Sequence, residues 1–131
     1  MIDTVLELAV PARFQQVAAL RRATDAFLLD STDEMLRHSL LLVVSELCTN
    51  AIEALQNSKA ELTLRVRDLP ESVVLEVEDS GPGFGSTPHS EQQPAGVAER
   101  GRGLNVVRSL VDEFDIDRSY GRTTVRCTVA K

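Results

Sequence analysis

From Thr4 to Val10, Leu6, Leu8 and Val10 alternate with Val5, Glu7 and Ala9, and Pro11 follows. A period of two with one apolar set predicts a strand, and a proline without an amide donor should stop its ladder. Pro11 also suits the first turn of a helix, and Phe14, Val17, Ala18 and Leu28 recur at helical spacing, which predicts a first amphipathic helix. Ser31-Thr32-Asp33-Glu34 has the Ser-x-x-Glu form of a capping box, so a second, longer helix should run from there to about Gln56. Leu62, Leu64 and Val66, then Val73, Leu75 and Val77, alternate with polar or outward residues on either side of an Asp68 to Glu71 turn, predicting a hairpin. The stretch from Gly81 to Gly101 is rich in Gly, Pro, Ser and Gln and has no period; connections of that length in a small domain tend to be functional. Leu104, Val107 and Val111 mark a short helix, Phe114 to Arg118 a strand, Tyr120-Gly121 a turn, and Thr123 to Ala130 a last strand. The order β-α-α-β-β-loop-α-β-β predicts an α+β fold: a two-layer α/β sandwich with helices on one face of a mostly or wholly antiparallel sheet. The whole of 1–131 should form a single domain.

Composition narrows the functions. A formal charge of -6 disfavours direct nucleic-acid binding or attraction to an anionic membrane, since both reward a basic surface. The apolar runs, such as Leu40 to Val44, are too short for a bilayer span and no signal-peptide pattern opens the chain, which points to a cytoplasmic protein. Cys48 and Cys127 read as buried small hydrophobes, and His38 and His89 stand apart from any partner pattern. Arg13, Arg21 and Arg22 on the first helix read as solvated side chains, with partner contact as the lesser alternative.

Four segments carry candidate chemistry. On the second helix Glu46, Asn50 and Glu53 share a polar stripe beside the apolar face of Leu40, Val44, Leu47, Ala51 and Leu55. A carboxylate and an amide one turn apart can orient a nucleophile and hold a hydrated Mg2+ near a phosphate, although taken alone they fit a solvated helix edge better. Glu53 keeps that plainer reading. Asp79 continues the inward alternation of Val73, Leu75 and Val77, so its carboxylate needs a donor, either in the following turn or on a ligand such as adenine. Gly81, Gly83 and Gly85 allow a flat ring close to the backbone, or simply a turn. Arg100-Gly101-Arg102-Gly103-Leu104 lies where the long loop meets a helix start and could hold phosphates or act only as a hinge; it is not a Walker-type loop. On the last strand alternation places Thr123, not Thr124, toward the core with Val125, Cys127 and Val129.

Taken in order, these segments resemble the GHKL (histidine kinase-like) ATPase superfamily, and among its small members the RsbW-like anti-sigma-factor serine kinases. The N box is Glu46-Leu-Cys-Thr-Asn50-Ala51, the first glycine box Asp79-Ser-Gly81-Pro-Gly83-Phe84, the second Gly101-Arg-Gly103-Leu104, with an ATP lid over about 85–100 and a final Thr123-Thr124-Val125. The resemblance implies a Bergerat-type sandwich that binds ATP and Mg2+, with Glu46 as base, Asn50 on the metal and Asp79 on adenine. It further implies that Gly81, Gly83, Phe84, Arg100, Gly101, Arg102, Gly103, Leu104 and Thr123 shape the nucleotide pocket. Ala54 stands where many relatives carry His, and Arg122 where Gly precedes the paired threonines. The implied function is a regulatory serine/threonine protein kinase whose substrate is a serine on a STAS-domain anti-anti-sigma protein. A sigma factor or other regulator would be the further partner, and a homodimer the implied assembly. The alternative is a nucleotide-dependent switch that sequesters such a regulator without phosphotransfer. The catalytic part of a histidine kinase fits less well, because the chain opens on the domain's own first strand with no phospho-acceptor helices before it.

Overall fold

The computed structural model describes residues 4–55, 59–79, 104–119 and 121–131. Strand β1 (Thr4–Pro11) leads through a 3-10 turn (Phe14–Gln16) into α1 (Val17–Leu28) and α2 (Glu34–Leu55). Then come β2 (Glu61–Asp68), β3 (Ser72–Asp79), a seven-residue helix α3 at 104–110, β4 (Glu113–Ser119) and β5 (Arg122–Ala130). The strands form one sheet in the order β1-β2-β3-β5-β4, and every neighbouring pair is antiparallel. The α+β sandwich is therefore as expected.

The hairpins follow from local chemistry. Between β2 and β3 the Leu69 amide donates to the Ser72 carbonyl at 2.9 Å. Between β4 and β5, Gly121 takes φ +76°, a left-handed conformation that costs little only without a Cβ. Pro11 does not stop β1: it pairs with Glu61 as the last rung, which an edge strand tolerates because one side of it has no ladder to break.

Alternation decides what is buried. Leu62, Leu64 and Val66 of β2, Val73, Leu75 and Val77 of β3, and Cys127 and Val129 of β5 form the sheet side of the core. From above, α2 contributes Leu40, Val43, Val44, Leu47, Cys48, Ile52 and Leu55, while Val107 of α3 is fully buried farther along the sheet. With 22 residues and a mean hydropathy of 1.2, α2 has the length and composition of a bilayer-crossing helix, so the expectation of short apolar runs does not hold for it. Packing on β2 and β3 accounts for that hydropathy in the fold.

Two expectations about the helices need correction. The buried residues of α1 are Leu20, Thr24 and Leu28, four apart, whereas Phe14 is 56% exposed and Ala18 is exposed. Phe14 belongs to the 3-10 turn, whose tighter winding breaks phase with the helix that follows. The cap of α2 is Asp33 rather than Ser31: its Oδ1 accepts from the Leu36 amide at 2.7 Å. Ser31 and Thr32 are occupied closing α1, both amides donating to the Leu28 carbonyl at 3.2 Å. Arg37 locks this corner, its guanidinium donating to Asp25 Oδ1 at 2.9 Å and to the Thr32 carbonyl at 2.8 Å.

The sheet's other face carries charge. Register lines up Glu7, Arg65, Glu76, Arg126 and Asp115 across all five strands, with signs alternating. Arg65 donates to Glu7 at 2.9 Å and to Glu78 at 2.8 Å, and those carboxylates, Glu78 foremost, hold its guanidinium firmly protonated. Such a face has no need of a covering layer.

Candidate functional site

The strand alternation that builds the core ends in a carboxylate. After Val73, Leu75 and Val77, Asp79 closes β3 on the same side and is only 3% exposed. Register places it between Leu62 of β2 and Thr123 of β5. Thr123 is half-buried and shares the helix-bearing face with Val125, Cys127 and Val129. The inward reading of both residues is borne out. Thr124 lies on the opposite face, where it lines a depression of about 530 Å³ with Arg65, Glu76, Glu78 and Arg126.

The second group comes from α2. Glu46 and Asn50 are half-buried at the border of its packed face, and Glu53, one turn farther, is exposed. The Asn50 Nδ2 atom is buried and has no hydrogen-bond partner among the described residues. Leaving such a donor unsatisfied costs about 1–3 kcal/mol, a penalty expected where a site is kept ready for a ligand. Chain connection sets where this stripe lies. Residues 56–60 join Leu55 to β2, whose second residue, Leu62, is the ladder partner of Asp79. At 1.5 Å per residue, Asn50 is about 8 Å and Glu46 about 14 Å back along the helix from Leu55. Both therefore belong to the half of α2 that leads to the Asp79 end of the sheet.

A family model described as the histidine kinase-like ATPase domain matches residues 10–129. The chain belongs to that family. A search of curated proteins finds no match in sequence. Among solved structures the chain is similar to the RsbU and RsbW domains of Rv1364c from Mycobacterium tuberculosis, with 18% identity and a TM-score of 0.69 over 98% of this chain. It spans 33% of that chain's length. It is also similar to the histidine kinase domain of the blue-light activated histidine kinase of Erythrobacter litoralis EL346, with 18% identity and a TM-score of 0.51, covering 92% of this chain and 61% of that one. At such identities these likenesses speak for the fold.

Membership in the histidine kinase-like ATPase family implies ATP binding. Of the expected pocket residues, Gly81, Gly83, Phe84, Arg100, Gly101, Arg102 and Gly103, with the lid at about 85–100, lie outside the described residues. Leu104 is half-buried and packs against the core at the start of α3. That helix is fixed to the sheet by Val107 and by Arg108, whose guanidinium sits 4.8 Å from the Phe114 ring centroid. The thiols of Cys48 and Cys127 are free and buried, and burial pushes both up to about 12. One residue escaped the sequence reading. Arg118 is the β4 partner of Thr123 and so stands in the same row as Asp79. The Tyr120-Gly121 turn was the available signal, since a two-residue hairpin loop makes Arg118 and Thr123 opposite neighbours.

Proposed function

We propose that this chain is an ATP-dependent serine/threonine protein kinase of the anti-sigma-factor type, acting on a serine of a STAS-domain partner. The observation that carries the reading is the buried Asp79 opposite Thr123, at the sheet end to which the Glu46 and Asn50 half of α2 leads. A carboxylate group with little water around it suits a ligand that brings donors, and the exocyclic amine of adenine does so. Thr123 supplies a hydroxyl that can both donate and accept beside it. The pocket residues at 81–84 and 100–103 would complete the enclosure.

At the other end, the donor set suits a hard cation that keeps most of its water: one neutral amide oxygen from Asn50, leaving the remaining positions to phosphate oxygens and water. Mg2+ held there would supply neutralisation of the β- and γ-phosphate charge. The buried amide nitrogen of Asn50, without a partner among the described residues, is a donor that a phosphate oxygen would satisfy while the amide oxygen faced the cation. Glu46, one turn earlier, takes the proton of the serine hydroxyl. The serine oxygen then bonds to the γ-phosphorus as the bond from that phosphorus to the β-γ bridging oxygen breaks and ADP leaves. Positioning and charge stabilisation would provide most of the acceleration.

A sigma factor or other regulator would be the second partner, released or held according to the phosphorylation state of the first, with the kinase acting as a homodimer. The test is incubation of the protein with Mg-ATP and a STAS-domain partner. Wild type should transfer phosphate to the partner, and Glu46→Ala should bind ATP with similar affinity while losing at least about a hundredfold in transfer rate. Tight ATP binding by wild type with no phosphotransfer would reject the kinase and leave an ATP-ordered binding switch.

A further inference from the structure

We propose that Arg118 contributes to base affinity in the nucleotide site, its guanidinium packing on the solvent side of the purine. The inference rests on the ATP-binding reading above and extends it to a residue outside the family's boxes. On the helix-bearing face one row crosses the sheet: Val10, Leu62, Asp79, Thr123 and Arg118. Exposure rises along it, from Asp79 at 3% through the half-buried Thr123 to the exposed Arg118. With strands about 4.8 Å apart, the Arg118 Cα lies about 10 Å from that of Asp79, and only a short threonine side chain intervenes. A base whose amine reaches Asp79 would extend over Thr123 into the reach of a long side chain from β4.

Among the described residues the Arg118 side chain is also uncommitted. Arg65, Arg122 and Arg126 pair with carboxylates on the opposite face, Arg37 pairs with Asp25, and Arg108 stacks on Phe114. Arg118 makes no ion pair or hydrogen bond among the described residues. A planar, weakly hydrated cation favours the face of a π system, and here it can close the wet side of a pocket whose inner side is Asp79. Since α2 packs over β2 and β3, Arg118 on β4 lies across the base from Asn50, away from the proposed phosphate end. The plainer role for such a residue is a charged guard on an edge strand, which would leave nucleotide affinity untouched.

The test measures dissociation constants of ATP, ADP and AMP, by displacement of a fluorescent ATP analogue, for wild type, Arg118→Ala and Arg118→Lys. Arg118→Ala should weaken all three nucleotides by the same factor, about three- to tenfold, with Arg118→Lys between it and wild type. The nucleotide-free melting temperature should stay unchanged, and if the alanine variant does not fold, the lysine variant still carries the comparison. Unaltered affinities would overturn the proposal and leave ATP binding standing. A loss confined to ATP and ADP would also overturn it, by placing Arg118 on the phosphates. A wild-type protein that binds none of the three would remove the ATP reading and this inference together.

Discussion

Asp79→Asn perturbs the proposed base site with the least change in shape, since the amide keeps the outline of the carboxylate and removes its charge and one acceptor. The side chain is 3% exposed and sits between Leu62 and Thr123, so little water is at hand to replace the lost contact. A hydrogen bond to an ionised group contributes about 1.5–3 kcal/mol net, and 2 kcal/mol corresponds to roughly thirtyfold in affinity. With ATP at about a hundred times the wild-type dissociation constant, binding stabilises wild type by about 2.7 kcal/mol, whereas a thirtyfold weaker variant gains about 0.9 kcal/mol. For a domain of this size 1 kcal/mol moves the melting temperature by about 4 °C, so the ATP-induced shift should fall from about 11 °C to about 4 °C. Thermal unfolding with and without nucleotide reads this directly, and the nucleotide-free midpoint reports any damage to the sheet end itself. An Asp79→Asn protein with the full wild-type shift would refute the assignment of Asp79 to the base.

Two further outcomes concern the scaffold. Arg37→Ala should lower urea stability by about 2 kcal/mol, because it strips the Thr32 carbonyl and Asp25 of their shared donor; ATP affinity should not change, and a loss of binding at unchanged stability would contradict a purely structural role. The thiols Cys48 and Cys127, raised from 9.0 to about 12 by burial, stay neutral in the fold while the unfolded chain ionises them. The unfolded state then binds fewer protons, so their contribution is intact below about pH 9 and is lost as pH climbs from there toward 12, by up to about 1.4 kcal/mol per thiol per pH unit. A Cys48→Ala, Cys127→Ala double variant should therefore lose less urea stability than wild type between pH 9 and 10, and equal losses would refute the argument.

Much of the sheet could be read from the chain because period and burial coincide: Leu62 to Val66 and Val73 to Asp79 needed only alternation to fix their faces. The same reasoning carried Asp79 and Thr123 inward. It failed where two local solutions compete. Ser31 and Asp33 are both capping residue types, and only the way Ser31 and Thr32 finish α1 hands the cap to Asp33. Phe14 matched a helical spacing but fell into a 3-10 turn of different phase. Asn50 was legible as part of a polar stripe with Glu46; that its buried amide nitrogen lacks a partner among the described residues is a property of packing. Arg118 was missed because a motif search follows the chain, while its place in the row of Asp79 depends on strand order.

Glu78, the residue before Asp79, points to the opposite face, where Arg65 at 2.8 Å and Arg122 at 3.1 Å grip its two oxygens. These bonds brace the end of β3 from β2 on one side and β5 on the other, like stays on a mast. The aim of Asp79 thus depends on residues that no nucleotide would ever touch. Substitutions at Arg65 or Arg122 would therefore reach the proposed base site through the backbone of β3, from the face opposite the helices.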